Sequence, residues 1–178
     1  MNCPKCEGKL KQKLFNNVSI HECDSCFGMW FDKEELNRAK DSTDEDLRWL
    51  DFDIFEQKQN KYFKKESSRV CPRDESKLKT FTYFNSKISI EVCSMCQGIW
   101  LDSEEFERII KYLEDKVVSE TSGDYAKELA RQFGEMLKDP SHLGSEAKDF
   151  IAVLKLAGKR VEAEHPDLTY ALSNFPIR

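Results

Sequence analysis

Residues 23–35 read Cys-Asp-Ser-Cys-Phe-Gly-Met-Trp-Phe-Asp-Lys-Glu-Glu, and residues 93–105 read Cys-Ser-Met-Cys-Gln-Gly-Ile-Trp-Leu-Asp-Ser-Glu-Glu. The two stretches share both cysteines, the glycine, the tryptophan, the aspartate and the glutamate pair, each 70 positions apart. A shorter pattern precedes each stretch, Cys-Pro-Lys-Cys at 3–6 and Cys-Pro-Arg-Asp at 71–74, and these lie 68 positions apart. A repeat of this length indicates a duplicated structural module.

The cysteine spacing indicates that each module binds a metal ion. Two residues between donors allow one tight turn to direct both side chains at the same ion, and two such turns complete a tetrahedral zinc site. The 16 residues between the pairs in the first module, and the 18 in the second, suit a β-hairpin. We therefore predict two zinc ribbons that bind two Zn²⁺ ions, with the ligands Cys3, Cys6, Cys23 and Cys26 in the first and Cys71, Asp74, Cys93 and Cys96 in the second.

Asp74 is the one departure from an all-cysteine ligand set. The chain has seven cysteines, all in the four metal-binding turns, and Asp74 stands at the eighth position. The alternative is a solvated turn residue, with water or Glu75 completing the site. Because a carboxylate matches zinc less well than a thiolate, we expect the second site to hold its ion more weakly.

Composition limits the classes of partner. The chain of 178 residues is 34% charged, and we find neither a membrane-length apolar run nor an apolar N-terminal segment. We expect a cytoplasmic protein without a membrane partner, in which thiols stay reduced and bind metal. Loss of seven thiol protons and gain of two divalent ions would move the formal charge from −5 to about −8, which disfavours phosphate backbones.

Glycine and tryptophan follow the second cysteine pair of each module. We expect Gly28 and Gly98 to adopt positive φ where the chain leaves the metal-binding turn. We expect Trp30 and Trp100 to pack against their hairpins, with an exposed stacking surface as the alternative.

The pattern of the remaining chain predicts helices. Asp32 and Asp102, each followed three residues later by glutamate, predict capping boxes that start a helix in each module. Helical spacing of apolar residues predicts a connecting helix over about 44–63 and two C-terminal helices, one from Tyr125 and one stopped at Gly158.

The predicted fold class is α+β: two small zinc ribbons joined by a helix, with a C-terminal α-helical segment. The predicted domains are a first ribbon at 1–40, a connecting helix at 41–70, a second ribbon with an extended helix at 71–119, and a helical segment at 120–178.

These motifs resemble a known family. The order Cys-Pro-x-Cys/Asp, hairpin, Cys-x2-Cys-x-Gly-x-Trp-x-Asp-x2-Glu resembles the bacterial transcription-factor zinc-finger family, related to the TFIIB-type zinc ribbon, over about 1–40 and 71–107. Cys-Pro-Arg-Asp at 71–74 is a familiar variant in that family. The resemblance implies a zinc ribbon fold and zinc binding, and it implies little about function.

We predict a non-enzymatic zinc-binding adaptor that contacts another protein, with transcription or translation as candidate settings. We predict neither catalytic residues nor a cofactor site beyond the two zinc sites. The first alternative is nucleic-acid or ribonucleoprotein binding through ribbon aromatics and the hairpin lysines Lys9, Lys11, Lys13, Lys77, Lys79 and Lys87. The second alternative is a thiol-redox or zinc-dependent enzyme.

Overall fold

The computed structural model describes residues 1–48, 50, 62–138 and 143–166. It divides the chain into two compact units, one of residues 1–44 and 50–114 and the other of residues 45–49 and 115–178. The first unit contains both zinc ribbons and the second is helical. This arrangement confirms the predicted α+β class.

The first ribbon is a hairpin followed by a short strand and a helix. Its elements are β1 (Leu10–Phe15), β2 (Val18–Cys23), β3 (Met29–Phe31) and α1 (Glu35–Thr43). Asn16 and Asn17 form the hairpin turn with φ of 45° and 60°. Asparagine tolerates this left-handed backbone better than most residues, which explains its use in a two-residue turn.

The second ribbon repeats this order and adds a strand before it. Its elements are β4 (Phe63–Val70), β5 (Lys77–Thr82), β6 (Ser89–Val92), β7 (Ile99–Leu101) and α2 (Glu105–Ser119). The added strand β4 pairs antiparallel with β5, and Phe63 packs edge-on against Phe81 with ring centroids 5.6 Å apart.

The two ribbons share one seven-stranded antiparallel sheet in the order β1-β2-β3-β7-β6-β5-β4. Strands β3 and β7 join them, and Trp30 stands opposite Trp100 at the centre of that pair. Neighbouring residues of a strand point to opposite faces of the sheet. The tryptophans therefore lie on one face, together with the cysteines.

The opposite face of the sheet carries an aromatic cluster that also joins the ribbons. Phe31 of β3 stacks on Phe106 of α2 with ring centroids 6.0 Å apart, and Phe15 packs edge-on against Phe106 at 4.8 Å. Phe31 and Phe106 are buried, and burying such a ring contributes roughly 1.5–3 kcal/mol through the surface it removes from water. Both faces of the sheet thus hold the ribbons together.

The connecting helix predicted over about 44–63 is wrong at its described start, and the predicted domain at 41–70 ends in a strand. Residues 63–70 form β4, because backbone pairing with the edge of β5 overrides a local pattern that is polar and ambiguous. Before it, α1 ends at Thr43 and a single 3₁₀ turn covers Glu45–Leu47. Trp49 and residues 51–61 lie outside the described residues.

The second unit contains the helices α3 (Ser122–Lys138) and α4 (Leu143–Glu164). Tyr125 is buried against Val153 and Leu156, and its hydroxyl donates to the Val117 carbonyl oxygen at 2.8 Å. The predicted end of a helix at Gly158 is wrong, since α4 continues to Glu164. A glycine inside a helix costs only about 1 kcal/mol, so it does not by itself stop one. Among the described helices, none has the length and apolarity needed to cross a membrane.

Candidate metal centres

The first predicted ligand set comes together between the hairpin and the turn before β3. Cys3 Sγ lies 3.6 Å from Cys26 Sγ, and Cys6 Sγ lies 3.6 Å from Cys23 Sγ. All four sulfur atoms lie within 4.8 Å of one another. Tetrahedral zinc with Zn–S bonds of about 2.3 Å places its sulfur ligands about 3.8 Å apart. The donor set and its spacing therefore fit one zinc ion.

The second set forms the equivalent cluster with one carboxylate. Cys71 Sγ lies 3.6 Å from Cys96 Sγ, and Asp74 Oδ2 lies 3.3 Å from Cys93 Sγ. The four donors again lie within 4.8 Å of one another. Since Zn–O bonds are shorter than Zn–S bonds, a closer oxygen–sulfur contact is expected. This cluster also fits one zinc ion.

Backbone N–H groups support the sulfur atoms in the same way at both centres. In each case the N–H two residues after a cysteine donates to its Sγ, which favours the thiolate form that binds metal. These donors are Lys5 N to Cys3 at 3.3 Å, Gly8 N to Cys6 at 3.4 Å, Ser25 N to Cys23 at 3.5 Å, Arg73 N to Cys71 at 3.3 Å and Met95 N to Cys93 at 3.3 Å.

Burial and hydrogen bonds together set the protonation of the thiols in the absence of metal. It raises the pKa of Cys3 and of Cys71, and it raises the pKa of Cys96 to about 11. Burial also acts to raise the pKa of Cys23, but hydrogen bonds, led by the backbone N–H groups of Cys26 and Ser25, together lower it to about 7. Zinc must therefore displace protons when it binds, which couples metal binding to pH.

Asp74 is exposed to solvent, unlike the buried Cys71 and Cys93 of its own site. The Ser76 hydroxyl and the Ser76 backbone N–H both donate to Asp74 Oδ1, the latter at 3.0 Å. These bonds, led by that from the hydroxyl, lower the pKa of Asp74 to about 2. The carboxylate is thus ionised and available to a cation throughout the neutral range.

The shared glycines are required by the close approach of the other ribbon. A Cβ atom on Gly28 would lie 2.2 Å from the Trp100 ring, and one on Gly98 would lie 2.1 Å from the Trp30 ring. The prediction of positive φ at these glycines is wrong, because the left-handed residues are their predecessors Phe27 and Gln97, with φ of 57° and 60°.

The tryptophans lie in the core, with 0% of each side chain exposed. Their indole N–H groups donate to the aspartates of the shared motif, Trp30 to Asp32 and Trp100 to Asp102, each at 2.9 Å. Both rings belong to the same buried cluster as the cysteines of the two centres. The metal sites and the junction between ribbons are therefore one packed structure.

Reciprocal ion pairs cross from each metal-binding turn to the other ribbon. Arg73 binds Asp32 through two guanidinium nitrogens, with Nε donating to Oδ1 at 2.9 Å. Lys5, at the equivalent position of the first ribbon, lies 3.2 Å from Asp102 Oδ2. Sequence reasoning missed these pairs, although a basic residue at the third position of both first turns was the available signal.

The predicted capping boxes form only in part. The Glu35 carboxylate accepts the Asp32 backbone N–H at 2.9 Å, and Glu105 accepts the Asp102 N–H at 2.8 Å. The carboxylates of Asp32 and Asp102 do not cap the helices. They bind the tryptophan indoles and the basic side chain that reaches each of them from the other ribbon. Consequently α1 begins at Glu35, with Glu34 as its N-cap residue at φ of 66°.

Comparison with known proteins agrees with this geometry. Residues 2–42 and 70–112 each match the family model described as transcription factor zinc-finger, the TFIIB-type zinc ribbon. These two regions are similar to that family, and together they cover a little less than half of the chain. Each matched region contains one of the two donor clusters. Neither the curated proteins nor the solved structures gave a significant match.

Proposed function

We propose that this protein is a non-enzymatic adaptor in which two zinc ions hold a rigid two-ribbon surface for binding another protein. The zinc ligands in this proposal are all eight clustered side chains, Cys3, Cys6, Cys23, Cys26, Cys71, Asp74, Cys93 and Cys96. Four protein donors per ion is the arrangement of structural zinc, whereas catalytic zinc keeps a position for water or substrate. The setting we propose is cytoplasmic, in transcription or translation.

The observation that carries the proposal is a single buried cluster that contains both tryptophans and cysteines of both sites. Its cysteines are Cys3, Cys23, Cys71 and Cys93, and the partly buried Cys6, Cys26 and Cys96 pack against it. A module of about 40 residues buries too little apolar surface to fold without a disulfide, a metal ion or a similar cross-link. Zinc binding contributes an apparent free energy on the order of 10–16 kcal/mol in small zinc domains. Metal at these positions would stabilise the junction between ribbons as well as each hairpin.

Apolar side chains on the metal-binding turns support a protein partner. Phe27, which follows Cys26, is 62% exposed, and Met95, between Cys93 and Cys96, is 77% exposed. Aromatic residues and methionine are enriched in protein interfaces, and a turn fixed by a metal presents them without further ordering. Each ribbon thus offers one apolar contact beside its metal site.

Ion pairing weakens the nucleic-acid alternative for the first ribbon. Lys11 pairs with Asp24 at 2.8 Å and Lys13 pairs with Glu22 at 2.7 Å, so these lysines already face carboxylates of their own ribbon. The formal charge of −5 opposes a phosphate backbone as well.

Partner capture with the full chain as bait tests the proposal. F27S and M95S should each reduce the amount of a stoichiometric protein partner while keeping two zinc ions per chain. V118S is the matched control, since Val118 is an equally exposed apolar residue of α2. Undiminished capture by both turn variants would contradict the proposal, and salt-sensitive retention of RNA or DNA would favour the alternative.

A further inference from the structure

The two metal centres differ in a second position that accompanies the change of ligand. Counting from the first donor of each ribbon, Gly8 and Ser76 are equivalent, as are Cys6 and Asp74. The first ribbon therefore combines cysteine with glycine, and the second combines aspartate with serine.

Both positions supply a backbone donor to the ligand two residues earlier. Gly8 N–H donates to Cys6 Sγ at 3.4 Å, and Ser76 N–H donates to Asp74 Oδ1 at 3.0 Å. Only the second ribbon adds a hydroxyl donor, from Ser76 to the same Oδ1 atom. We infer that Ser76 is a positioning residue that holds one oxygen of Asp74 so that the other faces the metal, an inference that rests on the proposed zinc ligation by Asp74.

The distances agree with separate roles for the two oxygens of Asp74, Oδ1 held by Ser76 and Oδ2 facing the metal position. Asp74 Oδ2 lies 3.3 Å from Cys93 Sγ, whereas the hydrogen-bonded Oδ1 lies 3.7 Å away. The oxygen without the serine bonds is thus the one nearer Cys93 Sγ. Outer hydrogen bonds of this kind fix the orientation of metal ligands and raise affinity.

Exposure explains why Asp74 requires this support. A buried cysteine is oriented by the packing around it, but the Asp74 side chain is exposed and turns freely unless something holds it. The hydroxyl supplies that restraint within the same turn.

The first centre has no room for a serine side chain at the equivalent position, Gly8. A Cβ atom on Gly8 would lie 2.8 Å from Cys23 Sγ and 2.8 Å from Ser25 Oγ. Any side chain at position 8 would press on a ligand sulfur. The packing of Cys23 and Ser25 thus requires glycine at position 8, whereas the second centre accommodates the side chain of Ser76.

A competing role for Ser76 lies in the same turn. Its Oγ is also 3.3 Å from Cys93 Sγ, and a hydroxyl has only one hydrogen to donate. If the hydroxyl acted on Cys93, its removal would weaken the site whatever the residue at position 74. Replacing Asp74 by cysteine separates the two roles.

The test is a mutant cycle of S76A in the native and D74C backgrounds of the full chain. Zinc affinity of the second site is measured by chelator competition, and Co²⁺ spectra report its coordination directly. S76A should lower affinity about 10–100-fold in the native background and perturb the cobalt d–d bands. In the D74C background, S76A should leave the zinc affinity within about twofold of that of D74C itself. S76T keeps the hydroxyl, so in the native background it should retain the native zinc affinity.

Two controls make the result specific. S94A removes a serine from the other turn of the same site and should keep native affinity. The cobalt spectrum of the four-cysteine first site should be unchanged in all variants, which shows that the sheet has remained folded.

Four outcomes would overturn the inference. Unchanged affinity in S76A, or equal losses in both backgrounds, would remove the role of Ser76 on Asp74. Unchanged affinity in D74A would refute zinc ligation by Asp74, and with it the role of Ser76. Loss in D74A with no loss in S76A would leave the ligand assignment standing and refute only the positioning role.

Discussion

At the scale of single residues, the two centres are unequal. One presents four thiols, and the other presents three thiols and the exposed carboxylate of Asp74. Thiolate is a softer donor that matches zinc better than a carboxylate oxygen does. The difference between Cys6 and Asp74 should therefore appear as a difference in metal affinity.

We predict that a graded chelator removes zinc from the second site first. D74C should raise the affinity of that site on the order of tenfold, about 1.4 kcal/mol. The reciprocal variant C6D should weaken the first site, and it serves as the matched comparison. Loss of both ions at one chelator concentration in the native protein would contradict the prediction.

The glycines of the shared motif give a second prediction at this scale. G28A should lower the free energy of unfolding by about 3 kcal/mol, because its Cβ would overlap the Trp100 ring at 2.2 Å. G98A should do the same against Trp30. Both values come from chemical denaturation of the zinc-loaded protein.

Gly158 is the control for those variants. It lies inside α4, and an added Cβ would meet nothing within 4 Å among the described residues. G158A should therefore stabilise the chain by about 0.5–1 kcal/mol through helix propensity. Equal small effects at all three glycines would refute the close-approach explanation.

At the scale of elements, the start of α2 is a site of pH dependence. Burial raises the pKa of Glu105 to about 7 from its usual 4.5, while the Asp102 N–H bond lowers it and the nearby charges of Asp102 and Glu91 raise it. The folded chain thus binds this proton more tightly than the unfolded chain. The contribution of Glu105 to stability is greatest below about pH 4.5 and is lost as the pH rises through about 7.

We predict that E105Q removes the loss of stability that Glu105 causes as the pH rises. Its amide oxygen can still accept the Asp102 N–H, but it carries no charge. Relative to the native protein, E105Q should gain about 1 kcal/mol of stability between pH 5 and pH 8, a figure reduced for solvent screening. Denaturation of both proteins at saturating zinc measures the difference, and identical pH profiles would contradict it.

At the scale of the whole molecule, local patterns predicted which side chains cluster but not the strand pairing that joins the two ribbons. The eight clustered side chains follow from spacing, since each pair sits in one turn and each hairpin returns the chain to its start. Strands β3 and β7 were not predicted because Met29–Phe31 and Ile99–Leu101 are short unbroken apolar runs without alternation.

Contacts between residues far apart in the sequence explain the other differences between the predicted and the observed structure. The pairs Arg73–Asp32 and Lys5–Asp102 join residues whose proximity depends on the β3–β7 pairing. Strand β4 is polar, and only its position beside β5 distinguishes it from a helix. In the helical unit, the apolar spacing predicted α3 and α4, but α4 continues past its predicted end at Gly158 to Glu164.

The central claim is that two zinc ions stabilise one sheet made from both ribbons. Hydrogen exchange of the full chain during stepwise chelation, with mass spectrometry of zinc content on the same samples, tests it most directly. We predict that loss of the second-site ion speeds amide exchange in β5–β7 and also in β3, because β3 pairs with β7. Protection of β1–β3 that is unchanged until the first-site ion leaves, or that survives removal of both ions, would contradict the claim.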